Sequence, residues 1–210
     1  MNIRMSLSAL TAVATLTVAS LTSTSQDSAP GFASQDSRPA QDRPAAQAAD
    51  QETVDLRPVT VIAVRHCEKG KDDPRDPGLA EAGTARAQQL SKLLAHSGVT
   101  HVYATGYRRT QDSIAPLAAA AGLEVITYDA RAIANFAESL AELPPGSVAV
   151  VAGHSNTTPD LVFALGGEVT DLVAMQGMQL IEEDQYDRLF IVNLPATSAP
   201  VTTLEMRYGE

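Results

Sequence analysis

The chain has 210 residues, a formal net charge of -10 and an apolar fraction of 44%. That size suits one domain with appendages, and the apolar content supports a sizeable core. The acidic balance excludes a protein that grips nucleic acid through a broad basic face, although a local arginine cluster can still draw a small anion into one cleft.

In chain order, residues 1–25 read as a secretory signal peptide: Arg4 in a start free of acids, an apolar run over residues 7–21, then small residues. The run is too short and too rich in threonine to span a membrane. This predicts a periplasmic or secreted protein with no membrane span after cleavage. Residues 26–53 are rich in Ser, Gln, Ala, Asp and Pro. Such a stretch cannot bury enough surface to offset its ordering entropy and predicts a disordered linker. The folded domain is then residues 54–210.

Within it, residues 59–64 (VTVIAV) form a continuous apolar run, the pattern of a strand buried on both faces. A helix is predicted over 79–97, with Leu90, Leu93, Leu94 and Ser97 as its buried stripe and Gly98 near its end. A short strand at 101–105 precedes a helix at 109–121 ended by Gly122. A strand at 124–127 precedes a helix at 132–143 stopped by Pro144 and Pro145. A second central strand is expected at 147–152, followed by a helix at 159–165. Strands at 189–194, with Leu189, Ile191 and Leu194 alternating, and at 201–207 complete the domain. Strand–helix alternation implies an α/β three-layer sandwich: a mostly parallel sheet with helices on both faces.

Such sheets bind ligands outside the carboxyl ends of their strands. The residues that follow three predicted strands carry chemistry. Arg65, His66, Cys67, Glu68 and Lys69 follow the first. Thr105, Gly106, Tyr107, Arg108, Arg109 and Thr110 follow the second. Gly153, His154, Ser155, Asn156 and Thr157 follow the fourth. Two histidines with two or more arginines make an anion site, because the guanidinium fork matches phosphate oxygens. Neighbouring cations also keep an imidazole neutral, and a neutral imidazole is what a nucleophile requires. Arg108 and Arg109 would sit at the wrong end of a helix dipole, a conflict that a bound anion would relieve. His96 and His101 carry no assigned chemistry. Glu182, Glu183 and Asp184 read as a solvated turn.

These motifs, with Leu79-Ala80-Glu81-Ala82-Gly83 opening a helix, resemble the histidine phosphatase superfamily, the phosphoglycerate mutase-like group. The resemblance spans residues 60–167. It implies that His66 is phosphorylated during turnover and that Arg65 and Arg109 hold the phosphoryl oxygens. His154 would be the second histidine, donating to the transferring group. Arg109 rather than Arg108 is implied because it directly precedes a small residue, Thr110. Thr105, Asn156 and Glu68 are candidate substrate contacts. The resemblance implies a phosphoric monoester hydrolase of the histidine acid phosphatase type, acting on a small phosphorylated substrate without metal or cofactor.

Three departures stand out. Cys67 occupies the place of a small glycine or alanine after the histidine, either as a compact filler or as a redox-sensitive thiol. The acid that protonates the leaving group is open among Glu68, Asp72, Asp73, Asp129 and Glu138. The segment between Arg109 and His154 lacks the long insertion of cofactor-dependent mutases, which favours a phosphatase. Two rival readings are a non-catalytic module that binds a phosphorylated ligand and a phosphotransferase or mutase on sugar phosphates.

Overall fold

The computed structural model describes residues 54–209. The predicted signal peptide (1–25) and linker (26–53) lie outside the described residues. Along the chain run β1 (Val59–Arg65), α1 (Glu81–Leu93), β2 (His101–Ala104), α2 (Arg108–Ala121), β3 (Val125–Thr127) and α3 (Ile133–Ala141). They are followed by β4 (Val148–Gly153), α4 (Thr157–Ala164), β5 (Val173–Met175), β6 (Met178–Leu180), β7 (Arg188–Leu194) and β8 (Thr202–Arg207). No helix among these residues is long and apolar enough to cross a membrane.

Six strands form one sheet in the order β3-β2-β4-β1-β7-β8. β3, β2, β4 and β1 pair in parallel, whereas β7 and β8 add on antiparallel. The continuous apolar runs are explained by their two faces. Val61, Ala63, Ala149 and Val151 enter one core with α3 and α4 (Ala137, Leu140, Leu161 and Val162). Ile62, Val64, Val150 and Ala152 enter the other with α1 and α2 (Leu90, Leu94, Ile114 and Leu117). This is the α/β sandwich that the strand–helix alternation predicts.

Three local expectations are corrected. The first helix is shorter than 79–97 because Leu79 bridges Lys69 and the Ala80 N–H bonds the Glu68 carbonyl. Those residues close the loop before the helix begins. Its buried stripe is Gly83, Ala87, Leu90, Ser91 and Leu94, and Leu93, about 100° round from the stripe's centre, is exposed. β7 does not alternate core and solvent: Phe190 and Val192 face one core while Leu189 and Ile191 face the other. Its place inside the sheet buries both faces. The β5–β6 hairpin was not anticipated, because two three-residue strands are too short for a periodic signal.

Gly83 holds α1 against the loop that follows β1. A Cβ there would run into the backbone of Glu68. Gly83→Ala is expected to lower the unfolding free energy by about 1–3 kcal/mol, read from urea denaturation. An unchanged midpoint would show that α1 can shift freely.

Arg188 is fully buried and was missed in the sequence. Its Nε lies 2.6 Å from Glu205 Oε1, and its Nη2 donates to Glu205 Oε2 at 2.9 Å and the Thr170 carbonyl at 2.7 Å. Its Nη1 donates to the Asp171 carbonyl at 3.1 Å. Arg188→Met leaves these acceptors without their donor, and because Glu205 is partly exposed a loss of about 1–3 kcal/mol is expected in the same denaturation assay.

Candidate functional site

The register of the two central strands creates the site. Arg65 at the end of β1 pairs with Gly153 at the end of β4, so His66 and His154 emerge side by side. Ala104 of β2 pairs with Ala152, which brings Thr105 to the same level. The imidazole centroids of His66 and His154 lie 5.4 Å apart, edge to face. Both rings, with Arg65, Arg109 and Asn156, line a cleft of about 1000 Å³.

The His66 ring has a defined tautomer. Its Nδ1 is 2.7 Å from the Cys67 carbonyl, which can only accept, so Nδ1 carries the proton and Nε2 keeps its lone pair. Burial pushes the His66 pKa down from 6.5 to about 3; the Cys67 carbonyl opposes the shift, while Arg65, His154 and Arg109 add to it. Burial, rather than the arginines, is thus the main cause of neutrality.

His154 is neutral for the same reason, its pKa lowered to about 4 by burial and then by Arg109 and Arg65. Its Nδ1 faces Arg109 Nη2 at 3.4 Å, a group that only donates, so Nε2 carries the proton. That proton points to Thr105 Oγ1 at 3.0 Å, and Thr105 Oγ1 lies 2.7 Å from Thr110 Oγ1. Thr110 Oγ1 bonds the Tyr107 carbonyl at 2.7 Å. The His154 N–H is thus directed at Thr105, while the ring itself lines the cleft. Thr105 is buried behind the ring and orients it, so its expected role as a substrate contact is corrected.

Both imidazoles should remain neutral well below pH 6.5 in nitrogen-correlated NMR of the ligand-free protein. The unfolded chain protonates its histidines near pH 6.5, while the folded rings do so only near pH 3–4. Between those values the unfolded state binds more protons, so stability must fall as pH drops. Each ring contributes up to about 2 kcal/mol between pH 6.5 and 5. A pH-independent urea midpoint over that range would contradict the burial of both rings.

Arg65 is buried and clamped. Its Nη1 donates to the carbonyls of Glu182 and Glu183, each at 2.9 Å, and its guanidinium carbon sits 4.2 Å from the Tyr186 ring centroid. Its Nε is buried with no partner among the described residues. The acidic turn at 182–184 is thus more than a solvated turn: its side chains are exposed but its carbonyls hold Arg65. Tyr186 carries no sequence signal, because Arg65 lies far away along the chain.

Arg109 reaches the cleft from the first turn of α2, with Tyr107 beneath its guanidinium at 4.3 Å. Arg108 points elsewhere and pairs with Asp72 at 3.0 Å. The conflict at the α2 N-terminus is relieved from outside the helix. Asp76 Oδ1 accepts the Arg108 N–H at 2.9 Å and lies 3.8 Å from Arg109 Nη1. No bound anion is needed there.

Glu68 is not brought to the cleft. Arg86 of α1 takes its carboxylate with both Nε and Nη2, at 2.8–3.1 Å. This corrects its candidacy as a substrate contact and makes it a staple between the loop and α1. Of the other acids considered for leaving-group protonation, Asp72 pairs with Arg108, Asp129 pairs with Arg131, and Glu138 does not line the cleft. Asp73 lines it, but backbone N–H groups of Arg75 and Asp76 hold its carboxyl below the usual range. Cys67 is fully buried, and burial pushes its thiol pKa up, so it packs as a filler. Among the described residues no group of three or more His, Cys, Asp or Glu is placed to hold a metal.

Residues 61–132 match the family model described as the histidine phosphatase superfamily, branch 1. No curated protein matches the sequence. Among solved structures, the protein histidine phosphatase SixA complexed with tungstate aligns at 15% identity and a TM-score of 0.53, over 70% of this chain and 96% of that one. Bacillus stearothermophilus YhfR aligns at 11% identity and a TM-score of 0.50, over 67% of this chain and 96% of its own. At such identities the likeness is one of fold, a central mostly parallel sheet flanked by helices. The matched segment carries Arg65 and His66 at the end of β1 and Arg109 in the first turn of α2, and over that segment the chain is similar to the histidine phosphatase superfamily.

Proposed function

We propose that the protein is a metal-independent phosphatase that hydrolyses phosphate monoesters through a phosphohistidine at His66. The observation that carries this reading is the unprotonated His66 Nε2 at a strand end, beside a second neutral imidazole and two guanidinium groups in one cleft. Nε2 attacks phosphorus and the bond to the ester oxygen breaks, the leaving oxygen departing with the electron pair. Water then attacks phosphorus, releasing inorganic phosphate and restoring the imidazole.

Catalysis in such transfers is mostly positioning and charge stabilisation, because negative charge spreads over the equatorial oxygens. Arg109 supplies one fork, and the unpartnered Nε of Arg65 supplies a buried donor whose desolvation a bound anion would compensate. In a chain of net charge -10, Lys69, Lys71, Arg75 and Arg131 also line this cleft and favour an anionic substrate. Asp73 is held ionised, which favours substrates whose leaving group departs without a proton. The reading includes export, supported by the composition of residues 1–25.

The test is a rapid quench with labelled 4-nitrophenyl phosphate followed by peptide mapping. An acid-labile phosphoryl group on the His66 peptide is the expected result. Label on another residue, or phosphate release without any labelled protein, would refute the mechanism.

A further inference from the structure

The β5–β6 hairpin has one wholly apolar face. Its register pairs Val173 with Leu180 and Met175 with Met178, so these four share a face while Ala174 and Gln179 take the other. The turn between the strands, Gln176 and Gly177, has positive φ at both positions, 52° and 81°, as a two-residue hairpin of this kind requires. The apolar face is not covered: Met175 is 56% exposed, Met178 45% and Val173 37%.

The hairpin is nevertheless fixed at both feet. Arg188 holds the carbonyls of Thr170 and Asp171 just before it, and the N–H of Ile181 bonds the Ser155 carbonyl at 2.8 Å just after it. Val173, Met175 and Leu180 line the cleft that contains His66, Arg109 and His154. Scattered exposed apolar residues are ordinary, whereas a contiguous patch beside a reactive group marks an interaction site. Methionine is suited to such a surface, since its unbranched thioether adapts to varied apolar shapes.

We propose that this hairpin is the leaving-group subsite, and that the substrate is a phosphate monoester whose leaving group carries an apolar body laid across Val173, Met175 and Leu180. The inference rests on the phosphatase reading above and adds the chemistry of the group released. The phosphoryl end meets the cations at the strand ends while the apolar end covers the hairpin, so the cleft suits an amphiphile.

A series of 4-alkylphenyl phosphates from methyl to hexyl tests it, because the alkyl group lengthens while the acidity of the released phenol hardly changes. A fully buried methylene is worth about fourfold in binding, so on this open wall kcat/KM should rise about twofold per methylene. In the double variant Val173→Ser with Met175→Ser, the hexyl-to-methyl ratio should fall toward unity. Met175→Leu should preserve it. Using the ratio removes any general loss of activity from the comparison.

A flat or falling series in the wild type overturns the inference while leaving the phosphatase reading intact. A ratio unchanged in the double variant overturns the hairpin as the site. A wild-type dimer that the double variant dissolves would assign the face to a second copy and also overturn the inference. No turnover of any member, with no phosphoenzyme trapped, sinks both readings.

Discussion

His66→Ala is expected to lower phosphate release from 4-nitrophenyl phosphate by about 10⁴-fold or more while leaving the fold intact. The substitution removes the atom that forms the bond to phosphorus. His154 is an inadequate substitute: its Nε2 proton is committed to Thr105, and its Nδ1 faces the Arg109 guanidinium. Steady-state release, with circular dichroism as the folding control, measures the effect. A variant retaining a rate within tenfold of the wild type would place the nucleophile elsewhere.

Arg109→Ala carries the second largest expected effect, a loss of about 10²–10³-fold in kcat/KM. The reason is the unequal freedom of the two guanidinium groups. Arg65 Nη1 is already occupied by main-chain carbonyls, so Arg65 is built into the wall. Arg109 is held more loosely, 3.8 Å from Asp76 and 3.4 Å from His154, and can close on a phosphoryl group as charge develops. Arg109→Lys should recover only part of the loss, because a point charge cannot replace a planar fork. Arg108→Ala should stay within about threefold of wild type, since that side chain pairs with Asp72 outside the cleft and the exposed pair contributes little. Equal losses at Arg108 and Arg109 would mean that only the net charge of the region matters.

Much of the frame was legible because its signals are local. The run at β1 reads as a strand buried twice over, and its alternate side chains do enter two cores. Gly122 takes φ 68° and ends α2 at Ala121, as a helix followed by glycine predicts. The strand-end rule likewise points to the segments that hold both histidines and the Arg108–Arg109 pair, because chain order and sheet chirality leave few places where a parallel α/β sheet can hold a ligand, while the choice between the two arginines rests on the family resemblance. Where local signals were weak, the reading failed. Leu93 lies outside the buried stripe, β7 packs both faces into cores rather than alternating, and the three-residue strands of the hairpin give no periodic signal.

The sequence by itself determined the α/β class, the alternation of strands and helices, and the chemistry gathered at three strand ends. These follow from short-range periodicity and from motifs within a few residues. Only the tertiary structure decided which groups face the cleft and in what state. Glu68 stands two residues from His66 yet turns to Arg86, whereas Arg65 is clamped by carbonyls at positions 182 and 183. The tautomers of both imidazoles depend on a carbonyl, a hydroxyl and a guanidinium placed around them by the fold. Such contacts join residues far apart in the chain, and neither periodicity nor spacing encodes the geometry in which they meet.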